Sequence, residues 1–289
     1  MNNRKVKLIE CPRDAMQGLK RFIPTEEKTA YLQTLLQVGF DTIDFGSFVS
    51  AKAIPQMSDT HELIRRLTPN AIKSNLLAII ANTRGAAEAV QYPAISHLGF
   101  PFSVSETFQL RNTNRTIEQS IGVVKEIGDL CAKNNKEFVI YLSMAFGNPY
   151  GDAWNADVLG KYIDLLKAYH CRIFALSDTV GIASPDSIYY LFESIIPAFP
   201  DIEIGAHLHT TPVAWQEKIK AALLAGCRRF DGAIKGYGGC PMAKDELTGN
   251  MPTEKMVEFL QEEGYHTGID IEALAESVHL ADHIFSQHE

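Results

Sequence analysis

Short apolar runs rich in β-branched and aromatic residues alternate along this chain with longer stretches whose apolar positions recur every three or four residues. The runs Val6–Cys11, Thr42–Phe45, Asn75–Ile80, Ile95–Phe100, Phe138–Ser143, Ile173–Leu176, Ile202–His207 and Arg229–Ile234 each predict a buried strand. Helical patterns separate them over Glu26–Val38, Asp59–Leu67, Thr83–Val90, Ile117–Ala132, Ala156–Ala168, Pro185–Ile196 and Val213–Leu224, and Thr253–Glu262 follows the last strand. Strict alternation predicts a parallel sheet, and eight repeats predict closure into an α/β (β/α)8 TIM barrel. An open doubly wound sheet is the alternative, but the Gly-x-Gly-x-x-Gly fingerprint that often accompanies it is missing after the first strand. Ile271–Phe285 predicts one further helix. The expected organisation is a single barrel domain over 1–289 with a C-terminal helical extension over 270–289.

Composition narrows the function more than the fold. With 46% hydrophobic and 21% charged residues, the 289-residue chain can bury a large core. Its 27 Lys+Arg against 35 Asp+Glu give a net charge of -8, which argues against a nucleic-acid partner or an anionic membrane surface. Five cysteines, Cys11, Cys131, Cys171, Cys227 and Cys240, lack disulfide-framework or zinc-ribbon spacing, so reduced thiols are expected. The N-terminus runs directly into an apolar strand without a signal or transit pattern, and the expected location is cytoplasmic.

A barrel places its active site at the C-terminal ends of its strands, so those ends are read together. Ile204–His209 reads as a strand ending in His207 and His209, which alternation puts on one face, about 7 Å apart along the backbone. Asp14 follows the first strand beside Arg13, Asp44 and Ser47 end the second, Asp178 ends the sixth, and Asn250 follows the loop that carries Cys240. A carboxylate, two imidazoles and a side-chain amide suit a divalent ion in an open octahedral site. Singly, Asp14 could be a helix cap, Arg13 a surface ion pair and Asn250 a turn residue. Trp154 and Trp215 read as packing aromatics, and Lys20 and Lys52 as solvated lysines.

These residues resemble the 3-hydroxy-3-methylglutaryl-coenzyme A (HMG-CoA) lyase family. The resemblance is carried by Pro12-Arg13-Asp14 with Gln17, Ser47-Phe48-Val49-Ser50, Pro55-Gln56-Met57, Asn148-Pro149-Tyr150, Asp178-Thr179-Val180-Gly181, His207-Leu208-His209, Gly238-Gly239-Cys240-Pro241, Gly249-Asn250 and His266-Thr267-Gly268, in the family's order along almost the whole chain. It implies that Asp14, His207, His209 and Asn250 bind Mg2+ or Mn2+, and that Arg13 stabilises charge on an acyl-CoA substrate. Cys240 would belong to a mobile loop and could deliver a proton to the enolate carbon. His207 could carry a proton near the metal, although one nitrogen cannot readily both ligate and shuttle. Gln17, Asp44, Ser47 and Asp178 are the expected substrate contacts.

The sequence also departs from the family around the barrel mouth. Thr210 stands where the family has Asp, Ala15-Met16 where it has Gly-Leu, and Asp44 where it has Glu. Glu10 lies one position nearer the arginine than the family's first-strand glutamate and should face the other side of the strand unless a bulge restores register. Lys244-Asp245-Glu246 replace small residues in a segment one residue longer. Three functions therefore stay open: HMG-CoA cleavage to acetyl-CoA and acetoacetate, a related carbon–carbon lyase or Claisen-type aldolase acting on another 3-hydroxy acid, and a catalytically silent acyl-CoA-binding protein. The resident metal and the oligomeric state, a homodimer included, also stay open.

Overall fold

The computed structural model describes residues 4–67, 73–239 and 248–288. Eight parallel strands close into a barrel in chain order: β1 (Lys7–Glu10), β2 (Thr42–Ser47), β3 (Asn75–Ile79), β4 (Ile95–Ser103), β5 (Glu137–Ser143), β6 (Cys171–Ser177), β7 (Glu203–His207) and β9 (Arg229–Gly232). All eight match the apolar runs of the sequence. Two short strands outside the barrel, β8 (His209–Thr210) and β10 (Gly249–Asn250), pair antiparallel with each other.

The helices are α1 (Pro12–Gln17), α2 (Thr25–Val38), α3 (Thr60–Arg66), α4 (Thr83–Ala89), α5 (Glu106–Thr113), α6 (Ile117–Lys133), α7 (Ala156–Lys167), α8 (Pro185–Ala198), α9 (Trp215–Leu224), α10 (Thr253–Glu262) and α11 (Ile271–His288). Their starts are chemically marked. Thr116 and Gln119 form a reciprocal capping box on α6, and Asn82 and Asn155 accept the third backbone N–H of α4 and α7. The C-terminal α11 packs on α2, with Phe285 edge-on to Tyr31 at 6.1 Å and stacked on Tyr237 at 4.3 Å. No helix among the described residues is long and apolar enough to cross a membrane.

Strand alternation divides the core in two. Leu8, Ile43, Phe45, Phe100, Phe138, Phe174 and Phe230 pack outward in one cluster with apolar helix residues. Inside the barrel a smaller cluster, Leu77, Ile79, Val139, Tyr141, Ile173 and Ala175, comes from β3, β5 and β6 alone. The lumen beside β1, β2, β7 and β9 is therefore polar, and the seam where the first barrel strand pairs with the last carries the site.

Candidate metal centre and active site

Four chain segments converge at this seam. Pro12, whose fixed φ suits the first position of a helix, starts α1 directly after β1, so Arg13 and Asp14 occupy its first turn. The sequence reading placed His207 and His209 on one continuous strand, and here the structure differs. β7 ends at His207, Leu208 breaks the run, and His209 begins β8, where it pairs with Asn250. The two rings still meet at 5.4 Å between centroids, although β8 pairs with β10 instead of extending the barrel wall. That same pairing delivers Asn250.

Ligand atoms of Asp14, His207 and His209 all lie within 4.8 Å of one another. Asn250 Nδ2 donates to Asp14 Oδ2 (2.8 Å) and to the Tyr237 carbonyl (2.9 Å), so its amide oxygen is the atom it can offer a cation. His209 is 4% exposed, and both of its ring nitrogens are buried with no well-formed hydrogen bond. Buried unpartnered nitrogens beside a carboxylate fit a divalent cation. Burial and the neighbouring His207 hold His209 below the usual imidazole range, which keeps it neutral and able to ligate. Burial opposes charge on His207 too, but Asp231 and Asp14 outweigh it and raise its pKa. For Asp14, burial is outweighed by Arg13 and the two histidines, and its pKa is lowered.

Arg13 is the hub of the remaining contacts. Its Nε and Nη2 donate to Asp44, and its Nη1 donates to Asp14 Oδ1 (3.0 Å) and Gln17 Oε1 (2.8 Å). Gln17 in turn donates to Asp14 Oδ1 at 2.7 Å. Burial pushes the Asp44 carboxyl up to about 6, with Arg13 restraining the rise. Ser47 is buried, and its Oγ accepts the Val49 N–H. Asp178 is fully engaged by the protein: Oδ1 accepts the Ala183 N–H, and Oδ2 accepts from Lys218 at 2.9 Å. Cys240 and Lys244-Asp245-Glu246 lie outside the described residues.

Two residues of the site were missed in the sequence. Asp231 Oδ2 accepts from His207 Nδ1 at 3.1 Å, which fixes the ring tautomer and turns Nε2 into the ligand atom. Lys218, on α9 and only 5% exposed, donates to Asp178 and to the His209 carbonyl (2.6 Å), so it holds β8 against the barrel. Parallel register could have suggested Asp231, since Phe230 pairs with Ala206 and the next residues are Asp231 and His207. Nothing in the pattern of α9 marks Lys218. Glu10 faces away from the lumen, as its position relative to Arg13 predicted, and no bulge interrupts β1. Its carboxylate accepts from the Ile234 N–H (2.9 Å) and the Thr253 hydroxyl (2.6 Å).

A closed (β/α)8 barrel with a carboxylate, two imidazoles and a buried arginine at the C-terminal ends of its strands is the architecture of a barrel enzyme with donors that could hold a metal ion. The chain belongs to the HMGL-like family, whose model matches residues 5–280. It is 31% identical to the hydroxymethylglutaryl-CoA lyase of Pseudomonas mevalonii over 94% of this chain and 89% of that protein. It is also 31% identical to the cytoplasmic 3-hydroxy-3-methylglutaryl-CoA lyase of Rattus norvegicus, over 94% of this chain and 79% of that one. An HMG-CoA lyase from Acinetobacter baumannii, solved in complex with coenzyme A and 3-methylmalate, superposes with a TM-score of 0.89 at 28% identity and covers 99% of this chain and 93% of its own.

Proposed function

We propose that this protein cleaves a 3-hydroxyacyl-CoA between the hydroxyl-bearing carbon and the thioester's α-carbon, with HMG-CoA as substrate and acetyl-CoA and acetoacetate as products. The single observation that carries the reading is the convergence of Asp14, His207 and His209 within 4.8 Å beside a buried Arg13. Asp14, His207, His209 and Asn250 would hold Mg2+ or Mn2+. When bound, such an ion polarises the substrate hydroxyl and lowers its pKa, as a Lewis acid does.

The chain's own residues supply the rest. Arg13 has five N–H groups, of which one on Nε, one on Nη2 and two on Nη1 point at Asp44, Asp14 and Gln17. The remaining Nη2 proton is the donor for the enolate oxygen, where a fixed charge is worth about 3 kcal/mol or more. Asp44 and Gln17 keep the guanidinium from moving as that charge develops. Asp231 leaves His207 a ligand through Nε2, so the hydroxyl proton has to pass to another base. Cys240 remains our candidate for returning a proton to the enolate carbon.

The test is a panel of 3-hydroxyacyl-CoA thioesters given to the protein loaded with Mg2+ or Mn2+, with His209→Ala as the control. Equimolar acetyl-CoA and acetoacetate from HMG-CoA, absent in the control, is the expected result. Turnover of another panel member alone would move the reading to the related lyase, which the shorter Asp44 and Thr210 at the mouth would explain. No turnover of any member by a metal-loaded protein would overturn it.

A further inference from the structure

His207 belongs to two groups of donors. Besides the Asp14 group, the Cys11 thiol, an Asp231 oxygen and a His207 nitrogen also lie within 4.8 Å of one another. Ile9 pairs with Asp231 across the β1–β9 seam, so Cys11, two residues on, stands on the same lumen face just above it. The 3.1 Å between His207 Nδ1 and Asp231 Oδ2 is already close to the roughly 3.3 Å that separates two donors around one tetrahedral ion with bonds of about 2.0 Å. Two more oxygens are buried here without a hydrogen-bond partner: Asp231 Oδ1 and the hydroxyl of Tyr141, whose ring meets His207 edge-on at 5.3 Å. The Cys11 thiol makes only a long contact, 3.9 Å, to the Ile9 carbonyl. Buried oxygens left unsatisfied in this way are uncommon and call for an occupant.

We propose that Cys11, His207 and Asp231 form a second cation position, for a thiophilic divalent ion such as Zn2+ or Cd2+, which competes with the Asp14 position for the His207 ring. One thiolate, one imidazole and one carboxylate suit zinc, whereas Mg2+ prefers an oxygen-rich set. Binding breaks the S–H bond and forms an S–metal bond, with the thiol proton leaving to solvent. The ring proton passes from Nδ1 to Nε2 as Nδ1 takes the ion, and no electron changes hands. Nε2 then carries a proton toward Asp14 and can no longer ligate there, so the inner ion switches off the outer site.

The experiment titrates the full-length protein with Cd2+ and follows the ultraviolet thiolate-to-cadmium charge-transfer band, with Mn2+ occupancy read by electron paramagnetic resonance. The expected result is one band-forming equivalent that is lost in both Cys11→Ser and Cys11→Ala and kept in Cys240→Ser. Mn2+ should be displaced as the band grows, and Cys11→Ser should need roughly tenfold more Cd2+ for the same displacement, the scale on which losing a ligand's support acts. A band that persists in both folded Cys11 variants, or disappears only with Cys240, would overturn the proposal, as would Mn2+ occupancy indifferent to the band. These readouts need no substrate, so they stand apart from the lyase reading.

Discussion

Arg13 and Asp44 show how a buried ion pair can serve chemistry and tax stability together. Both are almost completely buried, and their charges offset one another's desolvation. Arg13→Met should lower kcat by about 100- to 1,000-fold while Mn2+ binding is largely kept, because the charge it meets grows only as the carbon–carbon bond breaks. A rise in KM with unchanged kcat would place Arg13 in ground-state binding instead. The variant also strands a buried carboxylate, a loss of about 3–5 kcal/mol. Adding Asp44→Asn should therefore restore the melting temperature and leave kcat low. Glu10 carries a different liability, for burial pushes its carboxyl from 4.5 up to about 8. The folded protein holds this proton more tightly than the unfolded chain, so the contribution to stability is complete below pH 4.5 and fades as pH rises through 8. Glu10→Gln, which keeps an acceptor for the Ile234 N–H and turns a non-titrating amide toward the Thr253 hydroxyl, should flatten the fall of Tm over that window. Parallel curves for the two proteins would show that another group governs the slope.

At the level of elements, the barrel was legible and the short β8–β10 pair was not. All eight barrel strands carry apolar runs of four or more residues, which survive uncertainty about their ends. β8 and β10 are two residues each, too short for periodicity, and they exist because His209 and Asn250 find each other across 40 intervening residues. The structure brings Asp14, His207, His209 and Asn250 together, but His207 and His209 sit on two strands and not on the one continuous strand that the sequence suggested. Asp231 and Lys218 stayed hidden for a related reason. Each has an ordinary local context, a strand interior and a helix face, and acquires its role only from a neighbour brought in by register or packing. The helix α5 was missed as well, since its mixed polar sequence lacks an apolar stripe. The short pair makes a direct prediction. A methyl group on Gly249 would press onto the Gly236 carbonyl oxygen, so Gly249→Ala should push β10 outward and weaken Mn2+ binding along with stability, by about 1–3 kcal/mol for the overpacking. Unaltered Mn2+ affinity in a folded Gly249→Ala protein would remove Asn250 from the donor set.

Across the whole molecule, the apolar half of the lumen belongs to the middle strands and the polar half to the ends of the chain. A cation bound at the seam should therefore stabilise the native barrel as a unit. At a hundredfold excess over its Kd the gain is about 2.7 kcal/mol, so chelation should lower Tm in the wild type and leave His209→Ala unmoved. Equal shifts in both would mean that the ion binds elsewhere. The placement of the donors also bears on how the protein is made. Asp14 is made 236 residues before its partner Asn250. Until Asn250 has followed Asp14, the growing chain lacks the full donor set for an ion, so metal scarcity would not stall the folding that comes before, and an ion would lock the ring only once these strands have met.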